Sequence, residues 1–191
     1  MRAPVHDTVP LALLLVLHGA GGHPTQALAL VEDLPEAADL LVLAPQSRRV
    51  TWDVIGGEWG EDVAFISRAM QAVAAGRAID PARMAISGFS DGASYALSLG
   101  LANGELFRAI LAWSPGFAAP PRRVGWPRVF ISHGTRDQVL PIARCSRWIT
   151  QRLEAAGYEL CYREFDGGHT VPPALAAEAL SWGFAAVASS R

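Results

Sequence analysis

Short apolar segments alternate along the chain with longer segments of helical periodicity, and this alternation constrains the fold more than any other feature. Continuously apolar strands are typical of a parallel sheet that helices cover on both faces. The sequence therefore predicts an α/β fold with a mostly parallel central sheet. The predicted strands cover residues 11–17, 40–44, 83–87, 109–113, 129–132 and 159–165.

Between the strands, apolar residues at helical spacing predict covering helices. The residues that show this spacing are Val63, Ile66, Met70 and Val73, then Ile142, Ile149 and Leu153, and finally Leu175, Ala179, Trp182 and Ala186. Residues 45–60 and 114–127 lack a period and carry Pro, Gly and Trp, which is typical of loops over one end of a sheet. A chain of 191 residues with 51% hydrophobic content and without repeats or linkers is expected to form a single domain over residues 1–191.

Charge and cysteine content narrow the classes of function. Sixteen basic and eighteen acidic residues leave a formal net charge of -2 without long charged runs, so the electrostatic footprint of a nucleic-acid-binding protein is missing. Two cysteines, Cys145 and Cys161, are too few for a disulfide scaffold, and no Cys/His spacing resembles a zinc site. We therefore expect a reducing, cytoplasmic location, buried thiols without chemistry of their own, and no metal.

The longest apolar run extends from Val9 to Leu17, far short of the roughly 20 residues that span a bilayer. It matches the apolar core of a secretion signal only weakly, because cleavage near Ala20 would cut into a glycine-rich turn. No membrane span is expected.

The strongest local motif is Gly88-Phe89-Ser90-Asp91-Gly92, which stands between a predicted strand and a helical segment. A serine on such a sharp turn adopts a strained backbone conformation that lifts its hydroxyl above the sheet, and the flanking glycines avoid collisions. The motif predicts Ser90 as a nucleophile.

A nucleophilic serine needs a base and an acid that orients the base. Asp137 follows one predicted strand and His169 follows the last one, so both would lie at the same sheet edge as Ser90. The chain order serine, acid, histidine is the order found with this kind of turn. Asp166 is an alternative acid, with Asp137 then capping a helix. The other candidate bases, His133, His23 and His6, are less well placed.

The turn after the first strand, His18-Gly19-Ala20-Gly21-Gly22, consists mainly of small residues. Acyl transfer needs backbone N–H groups that face the developing oxyanion, and small residues let the backbone approach the substrate. We expect the amides of Ala20 and Asp91 to be these donors, with His18 bracing the turn. A dinucleotide-binding loop is disfavoured, because Pro24 replaces the third glycine and no acid ends the second strand. No cofactor is therefore expected.

Together these motifs resemble the small serine esterases of the phospholipase/carboxylesterase group in the α/β-hydrolase superfamily, relatives of the acyl-protein thioesterases. The resemblance covers nearly the whole chain, through residues 17–22, 44–46, 88–92, 133–141 and 167–169 and through Phe107 with the strand after it. It implies a triad of Ser90, Asp137 and His169 with oxyanion donors at Ala20 and Asp91, which matches the assignment from the residues.

The chain also departs from the pattern of this group. Ala93 stands where a second glycine often follows the serine turn, and Asp91 replaces a common glutamine. The predicted oxyanion donor is a backbone amide, so these changes should preserve the function. There is little room for the usual N-terminal antiparallel hairpin and no insertion for a helical lid, which implies a minimal, lidless fold with a shallow, open acyl pocket.

Ester sites have mostly apolar walls. The candidate substrate-binding residues are Trp52, Ile55, Trp59, Phe89, Trp113 and Phe117, of which the sequence expects about half to belong to the core. The predicted activity is hydrolysis of a small-molecule ester or acyl thioester through an acyl-enzyme on Ser90. Two alternatives stay open: a lysophospholipase, and a protein of the same fold that binds a ligand or partner without turnover. Acyl chain length and oligomeric state are not encoded in these motifs.

Overall fold

Six parallel strands form the centre of the protein, in the order β2-β1-β3-β4-β5-β6. The structure is a computed structural model that describes residues 1–4, 10–57 and 59–185. The strands are β1 Leu11–Leu17, β2 Leu40–Leu43, β3 Ile79–Phe89, β4 Ala109–Trp113, β5 Arg128–Gly134 and β6 Leu160–Phe165. Within the described ranges, the only antiparallel pairing is an isolated bridge between Arg2 and Val42. The predicted parallel sheet is confirmed.

The described ranges contain five α-helices, of which the first four connect strands and the fifth follows β6. They are α1 Pro24–Ala29, α2 Glu61–Gly76, α3 Asp91–Ala102, α4 Ser146–Ala155 and α5 Pro173–Phe184, with short 3₁₀ helices at Pro35–Ala37 and Asp53–Gly56. None of the helices in the described part of the chain is long and apolar enough to cross a membrane.

The predicted elements are confirmed with a few shifted boundaries. β3 begins at Ile79 rather than at residue 83, because Leu11 pairs with Ile79 before an irregularity in the register. Ile142 precedes α4 instead of lying in it, and Ala186 lies outside the described residues.

Successive side chains of a strand point to opposite faces of the sheet, and this alternation divides the core into two layers. The odd-numbered residues Leu11 to Leu17 of β1 pack with residues of α2, α3 and α4, whereas Ala12, Leu14 and Val16 face α1 and α5. A period of two with both faces apolar is what a strand needs when helices cover both sides of its sheet. The result is a three-layer α/β/α sandwich.

Both cysteines are buried and unbridged, as predicted. Burial raises the pKa of the thiols of Cys145 and Cys161. Since the thiolate is the reactive form, neither side chain is a good nucleophile at neutral pH.

Helix α3 lies deepest in the sandwich, with every residue from Gly92 to Ala102 buried. Its small residues allow the helix axis to approach the sheet closely. A Cβ atom at Gly100 would stand 2.6 Å from Cγ1 and 2.7 Å from Cδ1 of Ile110, inside van der Waals contact.

We therefore predict that Gly100→Ala lowers the free energy of unfolding by about 1–2 kcal/mol, since overpacking a rigid core outweighs the better helix propensity of alanine. Gly76→Ala, at the end of α2 where a Cβ meets nothing within 4 Å, is the matched control and should be neutral or stabilising. Urea unfolding of both variants measures the difference. Equal midpoints would contradict the close approach of α3.

Candidate active site

The candidate site lies at the carboxyl ends of the strands. The chain leaves β1 to one side for β2 and returns on the other side for β3, so β1 and β3 flank a point where the strand order reverses. Crevices at such points are the usual ligand sites of open α/β sheets. The register pairs Leu17 with Gly88, which places the turn after β1 beside the turn after β3.

Ser90 occupies the turn between β3 and α3 in a strained conformation. Its φ of 58° and ψ of -121° lie outside the regions that non-glycine residues favour. The surrounding hydrogen bonds hold this conformation: the Ser90 amide donates to the Trp113 carbonyl at 2.9 Å, and the Ser90 carbonyl accepts from Ser94 at 3.0 Å. Such strain is typical of functional residues, and here it sets the direction of the hydroxyl.

Gly92 permits close contact between the serine turn and the turn after β1. A Cβ atom at this position would lie 2.3 Å from the Leu17 carbonyl oxygen and 2.5 Å from the His18 carbonyl oxygen. Only glycine fits, and the two turns therefore touch through their backbones.

The side chains of Ser90, His169 and Asp137 form one continuous chain of hydrogen bonds. The Ser90 hydroxyl lies 2.8 Å from His169 Nε2, and His169 Nδ1 lies 2.6 Å from Asp137 Oδ2. Asp137 is buried, and its other oxygen, Oδ1, accepts the amides of Val139 at 2.9 Å and Leu140 at 2.8 Å. With Asp137 ionised, His169 Nδ1 donates and Nε2 is free to accept from the serine hydroxyl.

Hydrogen bonds keep the Asp137 carboxylate ionised. Burial alone would raise the pKa of Asp137, but hydrogen bonds from the Leu140 amide and from His169 outweigh it and hold the pKa below its usual value. A buried, ionised carboxylate on one ring nitrogen stabilises the imidazolium that forms when the other nitrogen accepts a proton.

Pairing between β5 and β6 continues past the strands and brings acid and base together. The amide of Thr135 donates to the Phe165 carbonyl and the amide of Arg136 donates to the Gly167 carbonyl, each at 2.9 Å. Asp166, the alternative acid, points elsewhere: its exposed side chain pairs with Arg136 at 3.1 Å. The structure thus brings Asp137, and not Asp166, to His169.

The amides of Ala20 and Asp91 stand at the two touching turns. Neighbouring amides are occupied, because Gly21 donates to Val50 at 2.7 Å and Gly22 donates to Gly19 at 3.0 Å. Among the described residues, the Ala20 and Asp91 amides donate to no protein acceptor. Two unpaired N–H groups beside a serine hydroxyl are chemically able to bind an oxyanion.

His18 braces the first of these turns as a neutral ring. Its Nδ1 donates to the Gly19 carbonyl at 2.8 Å, and its Nε2 accepts from the Ser47 amide and the Gln46 side chain, both at 3.1 Å. Burial lowers the pKa of His18, and the hydrogen bond to Gly19 opposes that shift only in part. Protonation would break the contacts at Nε2.

Residues 46–53 contact both turns from outside, a role that the sequence did not reveal. Trp52 Nε1 donates to the His18 carbonyl at 2.8 Å, and the Thr51 hydroxyl donates to the Asp91 carboxylate at 2.7 Å. The buried carboxylate of Asp62 in turn accepts the amides of Arg48 and Asp53 at 2.7 and 2.8 Å. Asp62 stands inside an amphipathic helix and carries no local signal of this contact.

The predicted substrate-binding residues divide between core and surface. Trp52 and Trp113 have no solvent exposure and belong to the core, so they offer no wall to a substrate. Phe89 is half-buried and packs against His169, with ring centroids 4.7 Å apart.

The remaining three are also half-buried. Trp59 stacks on Tyr95 at 5.7 Å, whereas Ile55 packs on the core from the 3₁₀ helix at Asp53–Gly56. Phe117 follows β4, and its amide approaches the Ser94 hydroxyl at 3.4 Å. Of the six candidates, Phe89 packs its ring on the imidazole of His169, and Trp113 contacts Ser90 through its backbone carbonyl.

The other histidines occupy separate places. His23 caps the start of α1, His133 contacts the Asp137 carboxylate, and His6 lies outside the described residues. Within the described ranges, no group of three or more His, Cys, Asp or Glu side chains could hold a metal ion.

Comparison with solved structures supports the assignment of the fold. Esterase PE8 superimposes with a TM-score of 0.73 at 24% identity over 94% of each chain. The phospholipase/carboxylesterase of Dyadobacter fermentans gives 0.72 at 19% identity over 93% of each chain. The Bacillus cereus carboxylesterase gives 0.69 at 23% identity, over 95% of this chain and 90% of that one. The chain has the α/β-hydrolase fold.

No protein-family model and no curated protein sequence matches the chain. The likeness is therefore one of three-dimensional structure, and at these identities it establishes the α/β-hydrolase fold alone.

The neutral state of His18 gives a testable pH dependence. Because its pKa is lower in the folded protein than in the unfolded chain, His18 stabilises the fold fully above the unfolded pKa of about 6.5, and this contribution is lost as the pH falls. We predict that the stability advantage of the wild-type protein over His18→Asn shrinks from about pH 7 to about pH 5. Denaturant unfolding across this range measures it, and a constant difference would show that protonation of His18 is not linked to folding.

Proposed function

We propose that the protein is a serine hydrolase that cleaves carboxylic esters or acyl thioesters of small or acyl-chain substrates through an acyl-enzyme on Ser90. The observation that carries this proposal is the continuous hydrogen-bonded chain from Asp137 through His169 to Ser90, next to the unpaired amides of Ala20 and Asp91. A serine hydroxyl is unreactive by itself, and this combination supplies both the base and the electrostatic stabilisation that it needs.

In the first step His169 Nε2 takes the proton of Ser90 while Oγ attacks the carbonyl carbon of the ester. The carbonyl oxygen becomes negatively charged in the tetrahedral intermediate. The amides of Ala20 and Asp91 would donate hydrogen bonds to this oxygen, and loss of one such donor in comparable enzymes costs about 10²–10³ in kcat.

Collapse of the intermediate breaks the bond to the alcohol or thiol, which leaves with the proton from His169. The acyl group now sits on Ser90. His169 next removes a proton from water, which attacks the acyl carbon, and a second collapse releases the carboxylic acid and returns the proton to Ser90. Asp137 remains ionised and holds the imidazole in place throughout.

Neighbours of this fold are named as esterases, carboxylesterases and a phospholipase/carboxylesterase, which supports ester substrates for this chain as well. A lysophospholipid is a substrate of the same reaction type. Rates with a series of p-nitrophenyl esters of increasing acyl length, and with a lysophosphatidylcholine, would rank these substrate classes.

We predict that a fluorophosphonate probe labels Ser90, since only a serine activated by a base and near an oxyanion site reacts quickly. Peptide mass spectrometry would locate the adduct. Ser90→Ala should abolish labelling and His169→Ala should slow it by several orders of magnitude. A folded wild-type protein that forms no adduct and hydrolyses no activated ester would instead favour a ligand-binding protein.

Substitution of two aspartates distinguishes the proposed triad acid, Asp137, from the alternative acid, Asp166. Asp137→Asn should lower kcat by about 10⁴-fold, because an amide favours the wrong imidazole tautomer and leaves the imidazolium without its counter-charge. Asp166→Asn, at an exposed position of the neighbouring loop, is the matched control and should leave kcat unchanged. Steady-state kinetics on one p-nitrophenyl ester decides the matter, and a large loss in Asp166→Asn would reverse the assignment.

A further inference from the structure

The side chain of His133, in β5, stands behind the acid of the proposed triad. It is fully buried, and its Nε2 lies 3.1 Å from Asp137 Oδ2 and 2.8 Å from the Leu140 carbonyl oxygen. Its Nδ1 lies 2.6 Å from the Ser146 hydroxyl at the start of α4. Every polar atom of the ring therefore has a buried partner.

These partners determine the protonation state of the ring. Nε2 faces two acceptors, the Leu140 carbonyl and the Asp137 carboxylate, so Nε2 carries the proton. Nδ1 then accepts from the Ser146 hydroxyl. Burial lowers the pKa of His133, although the Leu140 carbonyl and the Asp137 carboxylate act in the opposite direction. The neutral ring with its proton on Nε2 satisfies all three contacts.

This arrangement restrains Asp137 from two sides. The direct contact places the Nε2–H group of His133, whose hydrogen carries a partial positive charge, near Asp137 Oδ2, which also accepts from His169. Indirectly, His133 holds the carbonyl of Leu140 while the amide of the same residue donates to Asp137 Oδ1. These contacts fix both ends of the loop from Asp137 to Leu140, so the carboxylate keeps one orientation toward His169.

We propose that His133 is a positioning residue that orients Asp137 toward His169, with the Ser146 hydroxyl anchoring the other nitrogen of its ring. This inference rests on the proposed function, since orientation of Asp137 affects turnover only when His169 acts as the base. His133 itself touches neither Ser90 nor the predicted oxyanion donors.

The test compares His133→Phe with His133→Gln. Phenylalanine fills the site without an N–H group, whereas glutamine can place an amide N–H near the position of Nε2. We expect His133→Phe to lower kcat about ten- to a hundredfold with little change in KM, as for the loss of other outer partners of functional groups. His133→Gln should recover most of the activity.

A second readout is independent of turnover. The proton on His169 Nδ1, held by an ionised carboxylate at 2.6 Å, should give a downfield ¹H NMR signal that is absent in His169→Gln. His133→Phe should shift or broaden this signal, and His133→Gln should restore it. Ser132→Ala, on the adjacent buried position of β5, is the control and should leave the signal in place, because the Ser132 hydroxyl has no hydrogen-bond partner among the described residues.

Ser146→Ala tests the same inference if His133→Phe does not fold. Without the hydroxyl at Nδ1, the ring loses the contact that anchors its other nitrogen, and we expect a smaller loss of kcat together with a shift of the His169 signal. An unchanged signal and kcat in His133→Phe, or in Ser146→Ala if the former is unfolded, would overturn the proposal. So would a His133→Gln variant as impaired as a folded His133→Phe.

The failure of the proposed function looks different. A wild-type protein without turnover or probe labelling would remove the role of Ser90, while the NMR signal would still report whether His133 orients the Asp137–His169 pair.

Discussion

The parallel pairing of β1 with β3 is the interaction on which the rest of the site depends. Its register sets Leu17 beside Gly88, so the turns that follow the two strands meet at one level of the sheet. Close backbone contact at Gly92 then leaves no space between them. A slip of one residue would turn the strand's side chains to the opposite layer and separate the Ala20 and Asp91 amides. Core packing and site geometry are therefore specified by the same register.

Near this pairing, two neutral histidine rings support the loops that form the site. His18 holds the turn after β1, and His133 stands behind Asp137; burial lowers the pKa of both rings. A neutral imidazole is a donor and an acceptor at once, so it can link two backbone segments without the desolvation cost of a buried charge. Asp137 stays charged although it is buried, because several hydrogen bonds offset the cost of its desolvation. At these two positions the supporting group is a neutral ring, whereas Asp137 carries the charge.

Much of the fold was predictable because apolar runs and helical spacing are local signals, and the convergence of Ser90, Asp137 and His169 followed from the common direction of parallel strands. The early start of β3 was not predictable, since its first residues are half-buried or exposed and pair with β1 only through an irregularity in the register. The contacts of Asp62 were equally hidden, because they join the first turn of α2 to backbone amides of an irregular loop nine and fourteen residues earlier in the chain. From the sequence, His133 is only a less well placed candidate base, and its contact with Asp137 becomes visible from its neighbours in space.

The position of the apolar cavities bears on what the substrate can be. A cavity of about 530 Å³ between α2 and α3 is lined by Met84 at the amino end of the β3 core segment and by Asn103 beyond the end of α3. Four residues of strand lie between Met84 and Phe89, and helix α3 spans twelve residues, so these two lining residues lie roughly 15 Å or more from Ser90. An acyl group attached to Ser90 cannot use this cavity without a long chain, and the surface beside Phe89 is closer. Under the proposed function, selection among esters would then depend more on the reacting carbonyl and its immediate substituents than on deep burial of the acyl chain, while the shallow, open pocket stays a prediction from the sequence.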